Sequence, residues 1–141
     1  MLTTDIADRI ASDTLAEGER RGFAPLTVVV LDLGGHPLVV KRDHRAAIYR
    51  PEIALAKASG CLGMGFGGRE LARRAQAMPA FVAALTTVFP HGLLPVPGGV
   101  LIRDASGTLL GAAGVSGDTS DNDEVCVAHA IGQAGLVADC G

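Results

Sequence analysis

Pro97-Gly98-Gly99-Val100-Leu101-Ile102-Arg103-Asp104, Ala105-Ser106-Gly107 and Thr108-Leu109-Leu110-Gly111-Ala112-Ala113-Gly114-Val115-Ser116-Gly117 read in turn as a strand, a tight turn and a glycine-rich strand. Asp118-Thr119-Ser120-Asp121-Asn122-Asp123-Glu124 follows and reads as the start of a helix, with Ser120 or Asp121 as its N-cap and acids in the first turn. Glycine alternating with Ala and Val weakens a strand and leaves it little to pack with. Something therefore comes close to that backbone, either a ligand or another part of the protein.

Working outward, the stretch before it is loop, broken by Pro90, Pro95 and Pro97. Upstream of that, Pro79 starts a helix predicted to run through Phe81 and Leu85 to Val88, and Arg69 to Ala77 is a shorter one. Pro51, at a helix first turn with Glu52 beside it, opens a helix through Ile53-Ala54-Leu55-Ala56-Lys57-Ala58-Ser59 toward Met64. That helix is rich in Ala and Gly and can press closely on a sheet or a second subunit. Further back, Thr27–Asp32 and His36–Arg42 form a hairpin around Gly34-Gly35. Ile6, Ile10 and Leu15 give the first helix its apolar face, with Gly22 as its stop. The last helix is predicted from about Asp121 to Val137. Hairpins require antiparallel pairing, so the class is α+β, in one domain over residues 1–141.

The core of these 141 residues must be aliphatic, because there are four Phe, one Tyr and no Trp. A net charge of −3 with mixed signs gives no case for nucleic acid. No apolar run approaches the roughly 20 residues that span a bilayer, and Met1-Leu2-Thr3-Thr4-Asp5 does not read as a signal peptide. Cys61, Cys126 and Cys140 are odd in number and fit no metal spacing. Reduced thiols in the cytoplasm are the simplest expectation.

Two constellations carry chemistry. Lys41, Arg42, His44, Arg45 and Arg50, with Tyr49 among them, put five cationic or titratable groups on one strand-to-helix connection. Arginine suits two-pronged capture of carboxylate or phosphate, and the helix start adds free N–H donors. The connection is either an anion pocket for a small carboxylate or a tetrapyrrole's propionates, or a solvated loop paired with nearby acids. His44 is the best candidate for a base or a metal ligand, since neutral imidazole serves both. His36 lies in the hairpin turn, His129 in the last helix, and His91 in the proline-rich loop, where it can line a pocket. In the acidic run, Glu124 or Asp123 can serve as a base. Helix capping accounts for the same residues, and the spacing is not that of a calcium loop.

The chain resembles the GlcG/HbpS-like family (DUF336, haem-degrading, similar to the PduO C-terminal domain). The resemblance rests on Val30-Leu31-Asp32-Leu33-Gly34-Gly35-His36-Pro37-Leu38-Val39, Ile53–Ala58, Pro97-Gly98-Gly99-Val100, and Gly111–Gly117 with Asp121–Glu124 behind it, all in the family's order. It implies a profilin-like α-β-α sandwich, an antiparallel sheet of about five strands flanked by helices, that assembles into homo-oligomers, and haem or iron binding in some members. The family's Arg-x-Asp-Gly-Ala is here Arg42-Asp43-His44-Arg45-Ala46, so His44 and Arg45 replace Asp and Gly.

The expected role is an oligomeric haem- or tetrapyrrole-binding protein, in haem or iron handling or redox sensing. The alternative is a cofactor-independent lyase, isomerase or hydrolase acting on a small organic acid; a purely structural assembly unit is a third reading. The expected site has His44 and Glu124 as catalytic residues and His44 as metal ligand. Arg42, Arg45, Tyr49, Arg50, His91, Pro97, Gly98 and Gly99 are its ligand-binding residues. It should lie between the Arg42–Arg50 connection and the Pro97–Gly99 turn, completed by a neighbouring subunit.

Overall fold

The computed structural model describes residues 1–141. The elements are α1 (Thr4–Arg20), β1 (Thr27–Leu31), β2 (Pro37–Arg42), α2 (Arg50–Met64), α3 (Gly68–Ala77), α4 (Pro79–Leu85), β3 (Gly99–Arg103), β4 (Leu109–Ser116), α5 (Ser120–Gln133) and β5 (Val137–Asp139). Five strands form one sheet in the order β2-β1-β4-β3-β5, with every pairing antiparallel. Val28, Val30, Val100, Ile102, Ala113 and Val115 face α1 and α5. Val29, Leu31, Leu101 and Ala112 face α2 and the α3–α4 segment. The strand alternation thus builds two cores, one on each side of the sheet.

The glycine-rich strands exist for α2. A side chain at Gly114 would collide with the carbonyl oxygen of Ala54. One at Gly99 would stand 2.5 Å from the Lys57 carbonyl oxygen and 2.6 Å from Cys61 Sγ. Helix backbone lies directly on sheet backbone, which only glycine permits. At these positions the close approach is by another part of the protein.

Three boundaries differ from the sequence expectation. The last helix stops at Gln133 rather than Val137, because Gly135 takes φ +77° and the Leu136 N–H donates to the Ile131 carbonyl. The chain then returns as β5 beside β3, an element the pattern did not reveal. Helix α4 ends at Leu85, where the Thr86 and Thr87 hydroxyls donate to the Ala83 and Ala84 carbonyls. The N-cap of α5 is Thr119, whose hydroxyl accepts the Asn122 N–H at 3.2 Å. No helix is long and apolar enough to cross a membrane.

Candidate functional site

The cations of the β2–α2 connection are matched by groups of the chain itself. Arg45 donates through Nε and Nη2 to both oxygens of Asp43, at 3.0 and 2.9 Å, and through Nη2 to Glu19 at 2.8 Å. Those bonds hold the Asp43 carboxyl well below the usual range. Arg42 donates to the Ala46 carbonyl at 2.7 Å, and Lys41 pairs with Asp8 at 2.9 Å. Arg50 reaches away from the loop, to the Ser116 hydroxyl at 3.0 Å. His44 stands 90% exposed, with its Nδ1 3.6 Å from Asp43 Oδ1, and lines no cleft. Tyr49 is also exposed, over a shallow apolar groove with Ile53 and Leu94.

The Pro97–Gly99 turn and Glu124 meet at the end of the sheet, where sequence reading missed two partners. Lys57, on the Ala-rich helix, passes the side-chain-free edge of Gly98 and donates to the Val115 carbonyl at 2.9 Å and to Asp123 Oδ2 at 3.1 Å. The Val115 N–H donates to the Gly98 carbonyl, so turn, strand and lysine form one unit with Ser116 and Arg50. Burial pushes the Asp123 carboxyl up, opposed by its bonds from the Asp118 N–H and Lys57. Arg69 donates to Glu124 Oε1 and to Asp121, each at 2.9 Å. Glu124 Oε2 has no partner, although the side chain is only 9% exposed. No cleft opens onto Lys57, Arg69, Asp123 or Glu124. The available signal was a single lysine inside the otherwise apolar Ala54–Ala58 run.

A cleft of about 400 Å³ lies elsewhere, and it joins two histidines that the sequence separates. One wall is the β1–β2 turn, Leu33 to His36; the floor is Ser59, Leu62 and Gly63 of α2; the far wall is Phe89, Pro90 and His91. The turn is rigid: Asp32 Oδ1 accepts the N–H groups of Gly34 and His36 at 2.9 and 3.0 Å, and the Asp32 N–H donates to the His36 carbonyl. His91, an expected ligand-binding residue, therefore has His36 as its companion rather than His44. No group of three or more His, Cys, Asp or Glu converges anywhere. Burial pushes the Cys61 thiol up to about 12 and those of Cys126 and Cys140 to about 11, so none is a ready thiolate ligand.

A family model described as "Haem degrading protein HbpS-like" matches residues 2–132. The chain belongs to the HbpS-like family. Solved structures carry the same fold. The PduOC:heme complex is 21% identical with a TM-score of 0.85, covering 98% of both chains. Klebsiella pneumoniae protein ORFY, of the DUF336 family, is 22% identical with a TM-score of 0.82, over 94% of this chain and 89% of that one. HbpS itself is 27% identical with a TM-score of 0.78, over 94% and 88%. No curated protein sequence matches the chain. In this HbpS-like protein the expected site is thus split: Pro97, Gly98, Gly99, Arg50 and Glu124 lie at the closed sheet end, and His91 lines the open cleft.

Proposed function

We propose that this HbpS-like protein binds a haem-type tetrapyrrole in the cleft between the β1–β2 turn and the α4–β3 loop, and does so as a homo-oligomer. The observation that carries this reading is that His36 and His91 line one cleft with Leu33, Leu62 and Phe89. The donor chemistry fits the group: haem iron takes axial imidazole, and Leu33, Leu62, Phe89 and Pro90 offer a flat macrocycle apolar contact. Gly34 in the wall and Gly63 in the floor leave the cleft free of two side chains that would press on His36 and Phe89.

A bound haem supplies a redox-active iron. The chain supplies the rest. His36 and His91 offer imidazole nitrogens, the Asp32 turn fixes the backbone that carries the first of them, and Leu33, Leu62 and Phe89 offer apolar contact. No lysine or arginine lines the cleft, so propionates would face solvent or a neighbouring subunit. Self-association is supported by Val40, Ile48 and Tyr49, large apolar side chains exposed on β2 and on the connection just before α2. The reading moves the iron ligand from His44 to His36 and His91 and gives Glu124 no catalytic part.

Equilibrium dialysis against haemin tests it. Saturable uptake by the wild type, lost in a His36→Ala/His91→Ala double variant that still folds, is the expected result. Equal uptake by both proteins would overturn the reading.

A further inference from the structure

Gly63 is exposed on the last turn of α2, where glycine serves a helix less well than alanine. Its φ is not positive, and neither is that of Gly34, so backbone conformation requires glycine at neither position. Space is tight at both, and the atoms an added Cβ would meet belong to side chains that would have to shift. A Cβ on Gly63 would stand 3.1 Å from Cζ of Phe89 and 3.3 Å from its Cε1. One turn earlier, a Cβ on Gly60 would stand 3.0 Å from Cγ of Leu93. Phe89 and Leu93 bracket His91 in the chain, so the segment bearing this histidine rests on α2 wherever α2 lacks side chains. On the opposite wall, a Cβ on Gly34 would stand 2.9 Å from Cδ2 of His36 and 3.3 Å from its Nε2. The His36 ring lies across Gly34, over a turn already pinned by Asp32.

We propose that Gly34 and Gly63 are positioning residues. They seat the His36 ring and the Phe89–His91 segment, and so set the span across which the cleft holds its ligand. The identity of that ligand rests on the tetrapyrrole reading; the seats themselves do not.

The test uses Gly34→Ala and Gly63→Ala, with Gly132→Ala as a helix control whose added methyl meets nothing within 4 Å. Three quantities are read: melting temperature, haemin affinity with its absorbance spectrum, and hydrogen exchange of the ligand-free protein over residues 89–93. The last includes the Gly92 N–H, which donates to the Phe89 carbonyl at 3.1 Å. Gly63→Ala is expected to melt at or above the wild-type temperature, to exchange faster over 89–93, and to bind haemin about 10-fold more weakly. Gly34→Ala is expected to lower affinity similarly and to alter the spectrum, with 89–93 exchange unchanged. Gly132→Ala is expected to change neither haemin affinity nor exchange over 89–93. Wild-type exchange and affinity in Gly63→Ala would overturn the proposal, as would an affinity loss that only follows a lowered melting temperature. If the wild type takes up no haemin, the tetrapyrrole reading falls. The exchange data then decide the seat on α2 alone: faster exchange in Gly63→Ala upholds it, and unchanged exchange overturns it.

Discussion

Lys57 Nζ stands 3.1 Å from Asp123 Oδ2, and this ion pair joins the two helical layers around the end of the sheet. The side chains are 5% and 1% exposed, so neither charge has much water to fall back on. Lys57→Met should leave Asp123 unpaired and destabilise the protein by about 3–5 kcal/mol, read by urea unfolding. Replacing both residues with apolar ones should cost clearly less than replacing Lys57 alone. A double-variant cost equal to the sum of the two single-variant costs would mean the pair is not coupled.

Gly114→Ala should destabilise by at least about 1–3 kcal/mol, the usual range for overpacking. The obstacle is the Ala54 carbonyl, which cannot rotate aside as a side chain can. Gly132→Ala, in α5 with open space around it, should stabilise by up to about 1 kcal/mol. Thermal melts of the two variants should move in opposite directions.

Glu17 is lowered from its ordinary 4.5 to about 2, chiefly by the hydrogen bond from Arg20, with Arg21 and His129 beside it. A depressed carboxyl stabilises the fold fully above its unfolded pKa and ceases to do so as pH falls through the folded one. Stability should therefore decline between pH 4.5 and about 2. Glu17→Gln should be less stable than the wild type at neutral pH and show a shallower acid decline, measured by urea midpoints across that window.

Burial raises all three thiols, Cys61 to about 12 and Cys126 and Cys140 to about 11. A thiol reagent at neutral pH should modify the native protein slowly and the urea-unfolded chain rapidly at all three positions. Fast modification of the native protein would contradict this burial.

The β-rich middle of the fold was legible because its signals are local: β-branched runs, Gly34-Gly35, and prolines at element starts. β5 was not, because three residues after a helix carry no period, and only the Gly135 turn marks the break. The α+β class followed from the hairpins. The site was harder. Arg45 looks free in sequence, yet Glu19, which completes its pairing, is 26 residues away. His36 and His91 likewise share a cleft only after α2 brings the turn and the proline-rich loop to one surface. Lys57 and Asp123, 66 positions apart, leave as their only local trace a lone lysine in an apolar run, which does not name its partner.

The most direct test of the account is a haemin titration followed by absorbance, comparing wild type with His36→Ala, His91→Ala and His44→Ala. The account predicts a saturable Soret shift that weakens about 10-fold or more on loss of either cleft histidine and is unchanged by loss of His44. A shift insensitive to His36 and His91, or one abolished by His44→Ala alone, would contradict it.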